Sequence, residues 1–230
     1  MKPNGSMRKG LACITKRKAH PADAAFKKRM LGDKNMFSDD SLLFPMERLT
    51  TERLILRRMD MNDARDIFEY GRDREVARHV LWDAYISIAE ARAYVRCMQR
   101  KYRIGDPASW CIELKGSGRV IGTIGYMWYN RDHNSAEVGY SLARDQWNKG
   151  IMTEALEEVI RYSFEELQIH RIEAQHETDN PASGKVMLKC GMQHEGTLRG
   201  RLLNKGRYVD VDIYSILRDE YRRRAYGSRT

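Results

Sequence analysis

Cysteine is scarce in this 230-residue chain. Its four residues, Cys13, Cys97, Cys111 and Cys190, form no C-x-x-C pair, and no histidine stands at metal-ligand spacing from them. That excludes a disulfide framework and a structural zinc site and points to reduced thiols in a cytosol. Long apolar runs are also missing: none approaches the ~18 to 20 residues of a membrane-spanning helix. The N-terminus lacks the apolar segment of a secretory signal. There is no G-x-x-x-x-G-K-[ST] for a nucleoside triphosphate, no G-x-G-x-x-G for a dinucleotide, and no internal repeat. The expectation is a soluble cytoplasmic protein without a metal.

What is present begins with charge. Lys and Arg number 41 against 32 Asp and Glu, a formal net charge of +9 that invites a nucleic-acid reading. The excess is local. Residues 1–44 carry 10 Lys/Arg and 4 Asp, two-thirds of the surplus, with clusters at Lys16-Arg17-Lys18 and Lys27-Lys28-Arg29. With few apolar anchors, such a segment cannot offset its ordering entropy and is expected to be disordered. It reads as a solvated tail, as an over-long start ahead of Met36 or Met46, or as an arm contacting RNA or the ribosome by counterion release. Residues 45–230 are nearly balanced in charge and, in a chain that is 42% hydrophobic, suffice for one domain.

From Leu49 onward strand-like and helix-like periods alternate. Leu54-Ile55-Leu56 reads as a strand, and Asn62-Asp63 offer a cap to a helix carrying Ala64, Ile67 and Phe68. Ser87-x-x-Glu90 has the form of a capping box ahead of Ala91, Tyr94, Val95 and Met98 at helical spacing. Residues 109–114 and 120–126 read as a hairpin, and 137–142 as a further strand. Leu156, Val159, Ile160, Phe164 and Leu167 define one helix face, Arg171 to Glu177 a strand, and Asn180-Pro181 the start of a short helix. Strands near 193–198 and 208–217 close the chain. The order β α α β β β α β α β β predicts a single α+β, or mixed α/β, domain.

The segment Trp147-Asn148-Lys149-Gly150-Ile151-Met152-Thr153-Glu154-Ala155 lies between a strand and an amphipathic helix. A loop feeding a helix N-terminus presents unpaired N–H groups and the positive end of a dipole, and Gly150 permits close approach. By itself this marks a site for a phosphate-bearing ligand or simply a glycine turn.

This segment stands in line with Arg48-Leu-Thr-Thr-Glu-Arg-Leu54, Glu137-Val-Gly-Tyr-Ser-Leu142, Asn180-Pro-Ala-Ser183, Lys189-Cys-Gly-Met192, Glu195-Gly-Thr-Leu-Arg199 and residues 210–221. In that order and spacing the chain resembles the GCN5-related N-acetyltransferase (GNAT) superfamily, in its RimJ/RimL-like branch, which acetylates ribosomal-protein N-termini. The resemblance implies a mostly antiparallel twisted sheet of about seven strands, splayed in the middle and flanked by about four helices. It implies acetyl-CoA as co-substrate, with its pyrophosphate on the amides of Trp147, Asn148, Lys149, Gly150, Ile151, Met152 and Thr153. The pantetheine would lie beside Ser141 and Leu142, toward Asn180 and Ser183. Trp147 and Met152 depart from the broad family pattern, but backbone amides do most of the holding. Many relatives carry a tyrosine acid in the short helix; Met187 stands there here, so that route is closed.

Acetyl transfer to an amine requires a neutral nucleophile and a proton for the departing thiolate. Glu137 is the first candidate base, against a solvated strand-end carboxylate, and Glu113 the second. Ser183 is the candidate acid and Asn180 the second candidate catalytic residue of the short helix, able to bind the pantetheine amide, against a packing residue and a helix cap. His170 reads as a capping side chain, Tyr126, Trp128 and Tyr129 as packing or cleft-lining aromatics, and Asp210 and Asp212 as amine-attracting or edge-strand charges. The expected acceptor is a protein or peptide N-terminal amine. A small amine such as a polyamine, amino acid or aminoglycoside is the alternative, and a non-catalytic CoA-binding or ribosome-associated module is the reading from another class.

Overall fold

The structure, a computed structural model, describes residues 44–227; the N-terminal extension lies outside the described residues except for Phe44. Eight strands form one sheet in the order β1-β2-β3-β4-β5-β6-β8-β7. They are β1 (Leu49–Thr50), β2 (Leu54–Arg57), β3 (Ser109–Leu114), β4 (Val120–Asn130), β5 (Ser135–Leu142), β6 (Arg171–Glu177), β7 (Gln193–Asn204) and β8 (Arg207–Leu217). Six α-helices accompany them: α1 (Ala64–Gly71), α2 (Arg74–Ala77), α3 (Ile88–Ile104), α4 (Ile151–Glu165), α5 (Pro181–Lys189) and α6 (Arg218–Tyr226). No helix among the described residues is long and apolar enough to cross a membrane.

Burial explains the layering. Val120 through Tyr126 are buried without alternation, as a strand covered on both faces requires. On one face the Tyr126 hydroxyl meets Ser163 Oγ of α4 at 2.6 Å. Three residues earlier, and so on the other face, Thr123 lies by Tyr70 of α1. Helix α3 buries Ala91, Val95, Met98 and Tyr102 along one stripe and ends at Gly105. Trp110 is fully buried against Tyr126 and Tyr162, and its indole N–H donates to the Glu47 carbonyl at 2.7 Å.

Several local expectations are corrected. Ser87 stands at the N-cap of α3 but makes no capping bond. Its own carbonyl takes the Glu90 N–H, and Glu90 accepts from the Ile86 amide instead. Ahead of α1 the capping box belongs to Asp60 and Asp63, around a single 3-10 turn. The short elements β1, α2 and α6 were not foreseen from periodicity. The stretch 199–207, which separates the strands expected near 193–198 and 208–217, is itself strand and tight turn: β7 and β8 pair out to Asn204↔Arg207, with a register break between Leu198 and Leu202.

Glu113 is committed to structure. Arg57 binds it through Nε at 2.5 Å and forks onto Asp63 at 2.8 and 2.9 Å, with Asp63 only 5% exposed. Replacing Arg57 by Met leaves a buried carboxylate without its cation and is expected to cost about 3–5 kcal/mol, read as a lower urea midpoint at unchanged slope.

A second prediction concerns acid. Hydrogen bonds from Arg171 hold the Glu195 carboxyl at about 2, and those from Tyr221 and Tyr226 hold Glu165 at about 2, against an ordinary 4.5. Both shifts are downward, so their stabilisation is complete above pH 4.5 and is lost as pH falls through about 2. Urea midpoints measured across that window should fall, and by less when Glu195 is replaced by Gln.

Candidate active site

The site is built on a gap. Strands β5 and β6 run parallel and pair only at Ser135↔Arg171, Ala136↔Ile172 and Glu137↔Glu173. Beyond Glu137, β5 continues to Leu142 on its β4 ladder alone, and β6 continues to Glu177 on its β8 ladder alone. The facing edges of Val138–Leu142 and Ala174–Glu177 therefore make no ladder with each other, which leaves a slot lined by main-chain donors and acceptors. Tyr140 spans from β5 to α5, its hydroxyl donating to the Ser183 carbonyl at 3.1 Å. Helix α5 approaches β6 closely because Gly184 has no side chain: a Cβ there would lie 2.6 Å from His176 Nε2.

At the open end, Trp147 Nε1 donates to the Leu142 carbonyl at 2.8 Å and pins the loop to β5. Asn148 (φ +59°) and Gly150 (φ +74°) are both left-handed, and Gly150 is the N-cap of α4, with no side-chain capping bond. The Glu154 N–H closes the first helical bond onto the Gly150 carbonyl, so the amides of Ile151, Met152 and Thr153 precede any intrahelical partner. The side chains of Ile151 and Met152 are buried, which leaves their backbone as the part a ligand can meet. Only Arg53 Nη2, at 3.6 Å, lies near the space where a Gly150 Cβ would sit.

Arg53, part of the Arg48–Leu54 motif, has a role at the loop that the sequence does not show. Its guanidinium binds Glu154 at 2.6 Å and the Lys149 carbonyl at 2.9 Å, and Glu154 also accepts from Thr51 Oγ1 at 2.5 Å. Burial raises the Glu154 carboxyl, but the Thr51 and Arg53 bonds outweigh it and hold the group below its ordinary value. This brace ties the β1–β2 turn to the loop. No sequence signal connects residues about a hundred positions apart.

Glu137 sits where the two strands part. Its carboxylate accepts from Trp128 Nε1 at 2.5 Å and from Gln175 Nε2 at 2.8 Å, and no cation pairs with it among the described residues. Trp128 reaches it because of a bulge: the pairing shifts from Tyr126↔Val138 to Trp128↔Glu137, which turns the tryptophan onto the Glu137 face. Tyr126 and Tyr129 instead pack on Phe44. Across the slot, Asn180 Nδ2 donates to Ser183 Oγ at 3.0 Å and makes no capping bond. Asp212 accepts from Thr197 and His194, and Asp210 from the Gly200 amide, so both serve the β7–β8 hairpin. Met187 is buried, and burial pushes the nearby Cys190 thiol up to about 12, which keeps it protonated.

The residues fit acetyl-CoA. A slot with free main-chain edges suits an extended amide-bearing arm, and a glycine-started helix with unpaired amides suits a pyrophosphate. No group of His, Cys, Asp or Glu among the described residues is arranged to hold a metal. Replacing Gly150 by Val forces a β-branched residue into the left-handed region, at about 1–2 kcal/mol, and crowds the amides. The expected result is at least roughly tenfold weaker CoA binding by calorimetry, with a lower Tm.

Comparison with known proteins follows the same lines. Residues 53–193 match the acetyltransferase (GNAT) domain family. An N-acetyltransferase of Bacillus licheniformis, p20, is 36% identical over 176 residues, covering 76% of this chain and 99% of its own. The GNAT acetyltransferase of Bacillus anthracis superposes with a TM-score of 0.67 at 26% identity, over 75% of this chain and 99% of its own. Two further relatives differ in substrate: the ribosomal protein uS5-alanine N-acetyltransferase of Escherichia coli (28% identical, 72% of this chain and 88% of its own) and the spermidine N(1)-acetyltransferase of Vibrio cholerae (25%, 75% and 98%). The chain thus belongs to the GNAT acetyltransferase family and is an N-acetyltransferase whose acetyl donor is acetyl-CoA.

Proposed function

We propose that the chain acetylates the N-terminal α-amine of a protein or peptide, of the ribosomal-protein type, with Glu137 as base and Ser183 as acid. The observation that carries this reading is the pair of polar groups on either side of the slot: a cation-free carboxylate on β5 and a serine held by an asparagine on α5. Bound acetyl-CoA supplies a thioester carbonyl as electrophile. Two neutral N–H donors orient Glu137 and leave its remaining lone pairs free for the acceptor. An α-amine titrates near about 8, so a carboxylate acting directly or through one water suffices to take its proton. Ser183 Oγ accepts from Asn180, which leaves its own hydrogen to donate to the departing sulfur. The uS5-alanine relative supports a protein acceptor, and the spermidine relative keeps a small amine as the alternative. Ribosome contact through residues 1–44 belongs to the same proposal but lies outside the described residues.

Thiol release from acetyl-CoA across panels of peptides and small amines tests the acceptor. Turnover with peptides supports the reading, and turnover confined to polyamines, amino acids or aminoglycosides overturns it. Glu137→Gln should lower kcat by about 10²- to 10⁴-fold and Ser183→Ala by at least about tenfold, both with CoA affinity retained. Unchanged turnover in either variant removes that residue from its role.

A further inference from the structure

One built feature lies outside the slot and its loop: a cavity of about 400 Å³ between the segment around α2 and the β7–β8 turn. Its walls carry Arg74, Arg78, Lys205 and Arg207 against one carboxylate, Asp83, and Asn204 is buried within it. These cations are weakly committed. Arg78 approaches Glu75 only at 3.8 Å, and Arg207 approaches Glu177 and Asp179 at 4.0 and 3.9 Å. Lys205 Nζ is spent on neutral oxygens, at 2.7 Å from the Val80 carbonyl and 3.1 Å from Asn204 Oδ1, and Arg74 forms no ion pair among the described residues. Positive side chains around a concave wall focus their potential and attract an anion.

The cavity is joined to β6, the strand whose Gln175 holds Glu137. Gln175, which holds Glu137, and Glu177 lie two residues apart on one face of β6, roughly 7 Å along the strand. Glu177 is 4% exposed and accepts from His79 Nδ1 at 2.8 Å and from Asn204 Nδ2, which fastens both cavity walls to the end of β6. An extended peptide advances about 3.3–3.6 Å per residue. With its N-terminus at Glu137, such a chain brings the side chain of its second to fourth residue to the cavity.

We propose that this cavity receives the carboxylate of an acidic acceptor residue, so that the enzyme selects protein N-termini bearing Asp or Glu two to four residues from the start. The proposal rests on the protein-acceptor reading above. The same walls repel a polyamine.

The test is steady-state acetylation of hexapeptides identical except for Glu, Gln or Lys at positions two to four, in the full-length protein. A Glu peptide should show a KM about tenfold below its Gln counterpart at similar kcat, as one charge-assisted hydrogen bond contributes, and the gap should close at 1 M salt. The Arg74→Glu, Arg78→Glu double variant should lose that preference or shift it toward Lys. Fluorescence anisotropy of the labelled Glu peptide, without acetyl-CoA, should show the same loss of binding. Equal KM for Glu and Gln peptides, or a Glu preference that survives in the double variant, overturns the inference and leaves the protein-acceptor reading standing. Turnover of small amines with none of any peptide overturns both.

Discussion

The parting of β5 from β6 after three residue pairs is the constraint on which the rest of the site depends. Two strands left half-paired inside a sheet expose main-chain donors and acceptors that ordinarily bond each other, and each buried group left so costs about 1–3 kcal/mol. The slot persists because neither strand needs the other. β5 is fully laddered to β4 and β6 to β8 on their outer sides. Helix α5 then covers the opening on one face, held by Tyr140 on Ser183 and brought close by Gly184 against His176. The slot's width is thus set by neighbours on either side, not by anything within it. An extended amide-bearing ligand supplies the missing ladder.

That arrangement explains which parts were legible in the sequence. The loop 147–153 announces itself because the hydrophobic period changes from two to 3.6 at a glycine, and such a change is a local property. Glu137 stands out as a carboxylate opening a strand and Ser183 as a hydroxyl one turn into a short helix, once acetyl transfer is the expected chemistry. Their partners were invisible. Trp128 faces Glu137 because one extra residue enters β4, and a bulge inverts the alternation that strand reading relies on. Gln175 lies on a strand 38 positions away, and Arg53 closes onto the loop from the other side of the fold.

The β7–β8 hairpin was half-read for a related reason. Arg199-Gly200-Arg201 has the composition of a loop, and the ladder does break there before resuming at Leu202. Only two apolar residues, Leu202 and Leu203, mark the resumed strand, too few to establish a period. The turn beyond it, Lys205-Gly206 with both residues at positive φ, carries the cavity lysine, so the misread stretch is also the one that builds the cavity wall. Similarly, α2 has four residues, shorter than any helical stripe, yet it brings Arg74 to the same cavity.

Net charge says little about either anion-attracting region, because the two work differently. At the α4 N-terminus Arg53 is paired with Glu154 and Lys149 is the one loop cation without a carboxylate partner among the described residues, so attraction there comes mainly from backbone amides and the helix dipole. Such a site depends on conformation, above all on Gly150 and on the Trp147 indole that pins the loop to β5. The cavity between α2 and the hairpin is the opposite case. Its charge lies wholly in side chains on short elements whose substitution leaves the sheet untouched. If the donor is held by main chain at the first region and the acceptor is met by side chains at the second, one specificity can change without disturbing the other, which is compatible with one domain family containing relatives named for uS5-alanine and for spermidine.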